Sequence, residues 1–169
     1  KNFLLPFILT LPLTAQWQDI SSRVPGTIST NNIGPVLTEG NEVFVLGNTG
    51  VFRSTNNGNT FSPLNSVTGE SYSLGTINQM RFVEKINGYI YVGLQPGSSG
   101  VAPLHRIQTG QASWTPAFTL NGPHDAIGFS VEDITFDSGT YYTSSAFAGC
   151  YTSGDGLNWV QRHDGLPDA

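Results

Sequence analysis

Charge is what this chain has least of: Asp, Glu, Lys and Arg together supply 11% of 169 residues. Its five arginines and two lysines are scattered, under a formal net charge of −5. Phosphate binding needs clustered basic side chains, so the composition excludes a nucleic-acid partner. Cysteine is almost as scarce. Cys150 stands alone, which rules out an intrachain disulfide, and its β-rich surroundings predict a small buried residue rather than a nucleophile. The three histidines, His105, His124 and His163, fall in separate segments without ligand spacing, so no metal or other cofactor is implied. Pro96-Gly97-Ser98-Ser99-Gly100 is Gly-rich but lacks the lysine of a phosphate-binding loop and reads as a flexible turn. Helical periodicity is missing after the first residues, which predicts an all-β fold.

Long apolar runs are also few. The one near the start, Phe3 to Leu13, is interrupted by Pro6 and Pro12 and is too short to span a bilayer. With Lys1 before it and Thr14-Ala15-Gln16 after it, residues 1–16 read as a secretory signal peptide. The expectation is an exported protein, secreted or held at the cell surface or in the periplasm, without stable membrane insertion. No cysteine follows the cleavage region to carry a lipid anchor.

What is abundant is turn chemistry and repetition. Trp17, Phe61, Trp114 and Trp159 lie 44, 53 and 45 residues apart, a spacing suited to four-stranded repeat units. Within each interval the same order of signals returns. First strands are predicted at Pro35 to Thr38, Ile77 to Glu84 and Val131 to Phe136. Tight turns follow at Glu39-Gly40-Asn41, Asn87-Gly88 and Asp137-Ser138-Gly139, where Gly and Asn provide the positive φ of short hairpin loops. Second strands run Glu42 to Leu46, Tyr89 to Leu94 and Thr140 to Ser144, rich in β-branched and aromatic residues. Third strands are Val51 to Ser54, Leu104 to Gln108 and Cys150 to Ser153. Fourth strands are Thr60 to Leu64, Ser113 to Phe118 and Asn158 to Arg162.

Between the third and fourth strands the chain reads Ser54-Thr55-Asn56-Asn57-Gly58-Asn59-Thr60-Phe61 and, later, Ser153-Gly154-Asp155-Gly156-Leu157-Asn158-Trp159. These runs resemble the Asp-box, or bacterial neuraminidase repeat, S-x-D-x-G-x-T-W, of sialidase-like β-propellers. The resemblance implies four-stranded antiparallel blades with Asp-box turns, about three of them over residues 17–169. Asn56 replaces the usual acid but can still accept a hydrogen bond. The last box has one residue fewer, and around Trp114 only the position and the aromatic survive. Ser54, Asn56, Gly58, Thr60, Ser153, Asp155 and Gly156 are read as turn formers. Phe61, Trp114 and Trp159 are read as wedges between sheets. Burying one such ring removes about 150 to 250 Å² from water, a gross gain of about 4 to 6 kcal/mol at ~25 cal/mol per Å².

The resemblance brings sialidases to mind, and Arg23-Val24-Pro25 is similar to their R-I-P element, whose arginine grips a substrate carboxylate. Those enzymes also need two more such arginines, a tyrosine nucleophile with a glutamate and an acid/base aspartate. Arg81, Arg106 and Asp133 are candidates outside any family motif. A xyloglucanase-like glycoside hydrolase would need two opposed carboxylates, which the neighbours Glu132 and Asp133 cannot supply because adjacent strand residues point to opposite faces.

The reading is therefore a non-catalytic recognition or scaffold module of a larger extracellular protein. The alternatives are a glycoside hydrolase of either type, or a propeller assembly factor resembling those of photosynthetic complexes. Three blades are fewer than the 4 to 8 typical of closed propellers, so truncation at the C-terminus is expected, with the remaining blades of the parent chain as partners. Trp17 would end an otherwise missing blade or supply the strand that closes the ring. Ligand contacts, to a carbohydrate, protein or peptide, are expected from the long connections Ser21 to Ile33, Asn65 to Thr76 and Thr119 to Ser130. These connections lie opposite the box turns. They carry Arg23, Glu70, Tyr72, His124 and Asp125.

Overall fold

A computed structural model describes residues 21–25, 35–47, 50–64, 80–94, 103–111, 114–118, 130–145 and 149–162. The apolar leader, Trp17, Glu70, Tyr72, His124 and Asp125 lie outside the described residues. Among the described residues, a single 3₁₀ turn, Ser21–Arg23, is followed by twelve strands. The first sheet holds β1 (Val36–Glu39), β2 (Glu42–Gly47), β3 (Gly50–Ser54) and β4 (Ser62–Pro63). The second holds β5 (Met80–Ile86), β6 (Tyr89–Leu94), β7 (Leu104–Gln108) and β8 (Thr115–Phe118). The third holds β9 (Val131–Asp137), β10 (Thr140–Ser145), β11 (Gly149–Ser153) and β12 (Val160–Arg162). Each is a four-stranded antiparallel meander whose spatial order is its chain order.

This is the all-β architecture of a propeller fragment. Residues Asn87 (φ 52) with Gly88 (φ 79) and Ser138 (φ 48) with Gly139 (φ 86) put two positive φ values in each two-residue loop. That is the type I′ geometry, which matches the twist of the strands it joins. Successive sheets meet through their first and second strands, β1 and β2 against β5, then β5 and β6 against β9. No described helix is long and apolar enough to cross a membrane.

Alternation along the strands buries one face of each sheet against its neighbour. Phe44, Leu46 and Val51 of the first sheet pack against Met80, Val83, Ile90, Val92, Ile107 and Trp114 of the second. Phe82, Tyr91, Leu104 and Phe118 then pack against Val131, Ile134, Tyr141 and Tyr151 of the third. The approach is tight. A Cβ placed on Gly93 would fall 2.1 Å from the Phe82 ring and 2.6 Å from the Val131 carbonyl oxygen, so only glycine lets β9 reach β6 there. A third cluster, Val45, Phe52 and Phe61, is covered by Val24 from the segment ahead of the first sheet.

Two expectations need correction. The fourth strands are shorter than their sequence pattern, because the turn between strands three and four absorbs Thr60, Phe61, Asn158 and Trp159. Cys150 is exposed rather than buried. It lies on the outer face of the third sheet, against which no described sheet packs.

Candidate functional site

The two serine turns are built alike. The Ser54 hydroxyl accepts the N–H of Asn56 at 3.2 Å and of Gly58 at 2.9 Å, and donates to Asn56 Oδ1 at 2.9 Å. Asn56 Oδ1 also accepts the N–H of Thr60 at 2.9 Å, and Asn56 Nδ2 donates to Thr60 Oγ1 at 2.9 Å. In the last turn the Ser153 hydroxyl accepts the N–H of Asp155 at 3.2 Å and of Gly156 at 2.9 Å, and donates to Asp155 Oδ1 at 2.9 Å. Asp155 Oδ1 takes the N–H groups of Leu157 and Asn158, each at 2.8 Å. Both serines are almost fully buried, so these bonds replace water that the turn backbone has lost.

The residue missing from the second run is the counterpart of Asn57. That residue takes φ 57, and its N–H reaches Asn41 O at 2.9 Å, tying the turn to the neighbouring hairpin. The run before Trp114 has neither serine nor acid at the corresponding box positions. There Gly110 (φ 94) closes the turn, with Gln111 N–H on Gln108 O at 2.9 Å and Thr109 N–H on Gly88 O at 3.2 Å.

Trp114 and Trp159 each carry a bond into the preceding sheet. Trp114 Nε1 donates to Leu64 O at 3.3 Å, and Trp159 Nε1 to Ala117 O at 2.7 Å. A buried indole needs such an acceptor. Phe61 needs none and closes on Val24, Val45 and Phe52.

The arginines are the sequence's candidates for gripping a carboxylate, and the structure gives each a partner within the chain. Arg23 Nη1 donates to Gly58 O at 3.2 Å, so this residue holds the first serine turn. That corrects its expected place across the sheet from the turns, and the reason is that Val24 must reach the core beneath Phe61. Arg106 Nη1 donates to Asp155 O at 2.8 Å and to the Tyr91 hydroxyl at 3.3 Å, while its guanidinium lies 4.3 Å from the centre of the Tyr89 ring. An arginine thus clamps each serine turn from outside the sheet it belongs to. Sequence reasoning missed the Arg106 clamp because Arg106 and Asp155 are 49 residues apart.

Arg81 sits elsewhere. It occupies a β-bulge in β5, Glu132 occupies the matching bulge in β9, and the two side chains pair at 3.7 Å. Ser130 Oγ also donates to Glu132. Asp133 faces away, onto the outer side of the third sheet, so the two neighbouring acids diverge as strand geometry requires.

Electrostatics separate the structural carboxylates from one other. Backbone N–H groups of Asn158 and Leu157, with the Asn158 amide, hold the Asp155 carboxyl well below the usual range. Lys85 bridges Glu39 and Glu42 at 2.6 Å each, and Arg53 Nε reaches Glu42 at 2.7 Å. The Lys85 bond, then Arg53, lowers Glu42, while the Glu39 and Glu42 bonds raise Lys85. Glu84 is raised instead, by burial and then by the Asp133 charge. The Tyr91 hydroxyl is pushed up to about 12, chiefly by burial, and burial raises Tyr151. A tyrosine nucleophile needs the opposite shift.

No protein-family model matches the chain, and no curated protein matches it. Among solved structures it is similar to the extracellular domain of a proposed one-component system, BT4673, from B. thetaiotaomicron. The TM-score is 0.58 at 14% identity, over 89% of this chain and 18% of that one. The chain therefore spans under a fifth of that neighbour's length, and the likeness is one of fold.

Proposed function

We propose that this chain is part of an extracellular Asp-box β-propeller, a non-catalytic recognition or scaffold module completed by further blades. The observation that carries the reading is the twofold recurrence of a serine turn, clamped by an arginine and followed by an aromatic that binds the neighbouring structure. Such turns organise backbone and leave nothing poised to react. The three arginines available to a sialidase-like site are each engaged separately, Arg23 and Arg106 on turns and Arg81 with Glu132. An extracellular location is supported by the leader-like residues 1–16 and by the extracellular neighbour.

Recognition then falls to the connections carrying Glu70, Tyr72, His124 and Asp125. The test compares binding and turnover in the full-length protein, using a glycan and peptide array alongside fluorogenic sialosides and xyloglucan oligosaccharides. Saturable binding without hydrolysis is expected, lost in Tyr72→Ala and His124→Ala but retained in Asn57→Ala and Asn59→Ala. Hydrolysis would overturn the reading. One observation favours a glycoside hydrolase, the raised Glu84 near Asp133, since an acid catalyst needs that direction. If hydrolysis is found and Glu84→Gln abolishes it, that second reading replaces the first.

A further inference from the structure

We propose that Arg81 and Glu132, turned out of two adjacent sheets by matching bulges, form a subsite for the hydroxyl groups of a neutral carbohydrate. The inference rests on the recognition reading of this chain and gives its ligand a chemical class.

Register makes the argument. Phe82 pairs with Gly93 and Met80 with Leu94, which leaves Arg81 over; Asp133 pairs with Ser144 and Val131 with Ser145, which leaves Glu132 over. The two residues thus hold the same position of successive repeats, with opposite charge. A bulged residue leaves the pleat and its side chain is re-aimed, so Met80, Phe82 and Val131 are buried while the Arg81 and Glu132 side chains are each 37% exposed. Both stand near the start of β5 and β9, strands that lie against each other. This is the end of the sheets opposite the serine turns, the end that the candidate recognition connections enter.

The chemistry of the pair selects the ligand. Arg81 Nε and Glu132 Oε1 are 3.7 Å apart, beyond direct hydrogen-bond reach, so a group that accepts from the first and donates to the second suits both. An alcohol oxygen does both at one atom. A carboxylate or phosphate would meet Glu132 and an ammonium would meet Arg81, whereas a peptide amide places donor and acceptor on different atoms. Ser130 is 1% exposed and its hydroxyl donates to Glu132, so the carboxylate is held in place before any ligand arrives, which lowers the ordering cost of binding.

A second observation lies beside the bulge. Where Leu94 opposes Met80 in the second sheet, Ser145 opposes Val131 in the third. Ser145 is buried, and its hydroxyl has no hydrogen-bond partner among the described residues. A buried hydroxyl in that state costs stability that leucine would supply, so polarity at this place serves something other than packing.

The native full-length protein is screened by saturation-transfer nuclear magnetic resonance against cellotetraose, maltotetraose, xylotetraose and mannotetraose, with sialyllactose and chitosan tetramer as the anionic and cationic arms. Transfer to at least one neutral tetrasaccharide is expected, and stronger transfer to either charged arm overturns the proposal. The neutral binder is then titrated into Arg81→Gln and Glu132→Gln. Each should lose at least ~10-fold in affinity, the effect of a hydrogen bond to a charged group, with thermal midpoints held within about 3 °C because a half-exposed ion pair stabilises little. Unchanged affinity in both variants overturns the proposal and leaves the pair as a brace between sheets. Should a variant fail to fold, hydrogen exchange of the unmodified protein decides: the tetrasaccharide must protect peptides covering 80–86 and 130–137, and protection confined to other peptides overturns it. Peptide binding without any carbohydrate binding removes this ligand class and keeps the recognition reading, whereas no binding of either kind removes both.

Discussion

The serine turns of the first and third sheets solve one problem with different side chains. Asn56 accepts one backbone N–H, from Thr60, and spends its amide on the Thr60 hydroxyl. Asp155 accepts two backbone N–H groups and the Asn158 amide. Geometry needs only an oxygen at the third position. Charge adds strength, because hydrogen bonds to an ionised acceptor are the stronger kind, and it adds a dependence on pH. The shorter run converges its donors on one carboxylate, whereas the longer run spends Asn57 on a tie to the adjacent hairpin.

The largest way to break the comparison is to remove the aromatics that follow both turns. Phe61→Ala and Trp159→Ala should each cost about 3 to 5 kcal/mol, read from denaturant midpoints of the full-length protein. Trp159→Phe keeps the apolar ring and loses only the bond to Ala117, so about 1 kcal/mol is expected. Equal losses for Ala and Phe would deny Trp159 its wedge role.

Backbone at the turn comes next. Gly156 takes φ +69, and a Cβ there would lie 2.4 Å from the Tyr91 hydroxyl, while Gly154 has open space. Gly156→Ala should destabilise by about 1 to 3 kcal/mol. Gly154→Ala should stay within about 0.5 kcal/mol. Calorimetry of both variants would show whether the turn or glycine content in general matters.

Removing the shared hydroxyl should treat the turns alike. Ser54→Ala and Ser153→Ala each strand the N–H of Gly58 or Gly156 in a buried place, costing about 1 to 3 kcal/mol. A loss at only one turn would mean that the serines are not equivalent.

The smallest expected effect is the one that separates the turns most cleanly. Asp155 has its folded pKa depressed from an ordinary value of 3.8, so its contribution is present above that value. It is lost as pH falls through the folded pKa. Asp155→Asn should flatten the acid limb of thermal stability, and Asn56→Asp should steepen it. Identical acid limbs in the parent and Asp155→Asn would show that this carboxylate is not linked to folding.

Strand order, hairpin positions and both serine turns were legible because each depends on residues close in sequence. Asn87-Gly88 and Ser138-Gly139 state their loop geometry locally, and Ser153 with Asp155 names its own hydrogen bonds. The arginine clamps were not legible, since Arg106 meets Asp155 only when two sheets pack. Cys150 was misread for a related reason: strand propensity says that a residue lies in a sheet, not whether another sheet covers it. The pairing of Arg81 with Glu132 depends on bulges in two separate strands, and nothing in either segment announces them. Of the candidate ligand residues, only Arg23 falls among the described ones, and its partner Gly58 again lies far away in sequence.

The central claim is that Trp114 and Trp159, the tryptophans after the third-strand turns of the second and third sheets, each fasten their sheet to the sheet before it. Indole N–H hydrogen exchange of Trp114 and Trp159 in the native protein, followed by nuclear magnetic resonance, tests that bond directly. Both signals are predicted to persist at least ~100-fold longer than a free indole and to decay with the strand amides around them. Exchange of either indole at the free rate, slowed only when a glycan or peptide is added, would make that ring a binding platform and contradict the account.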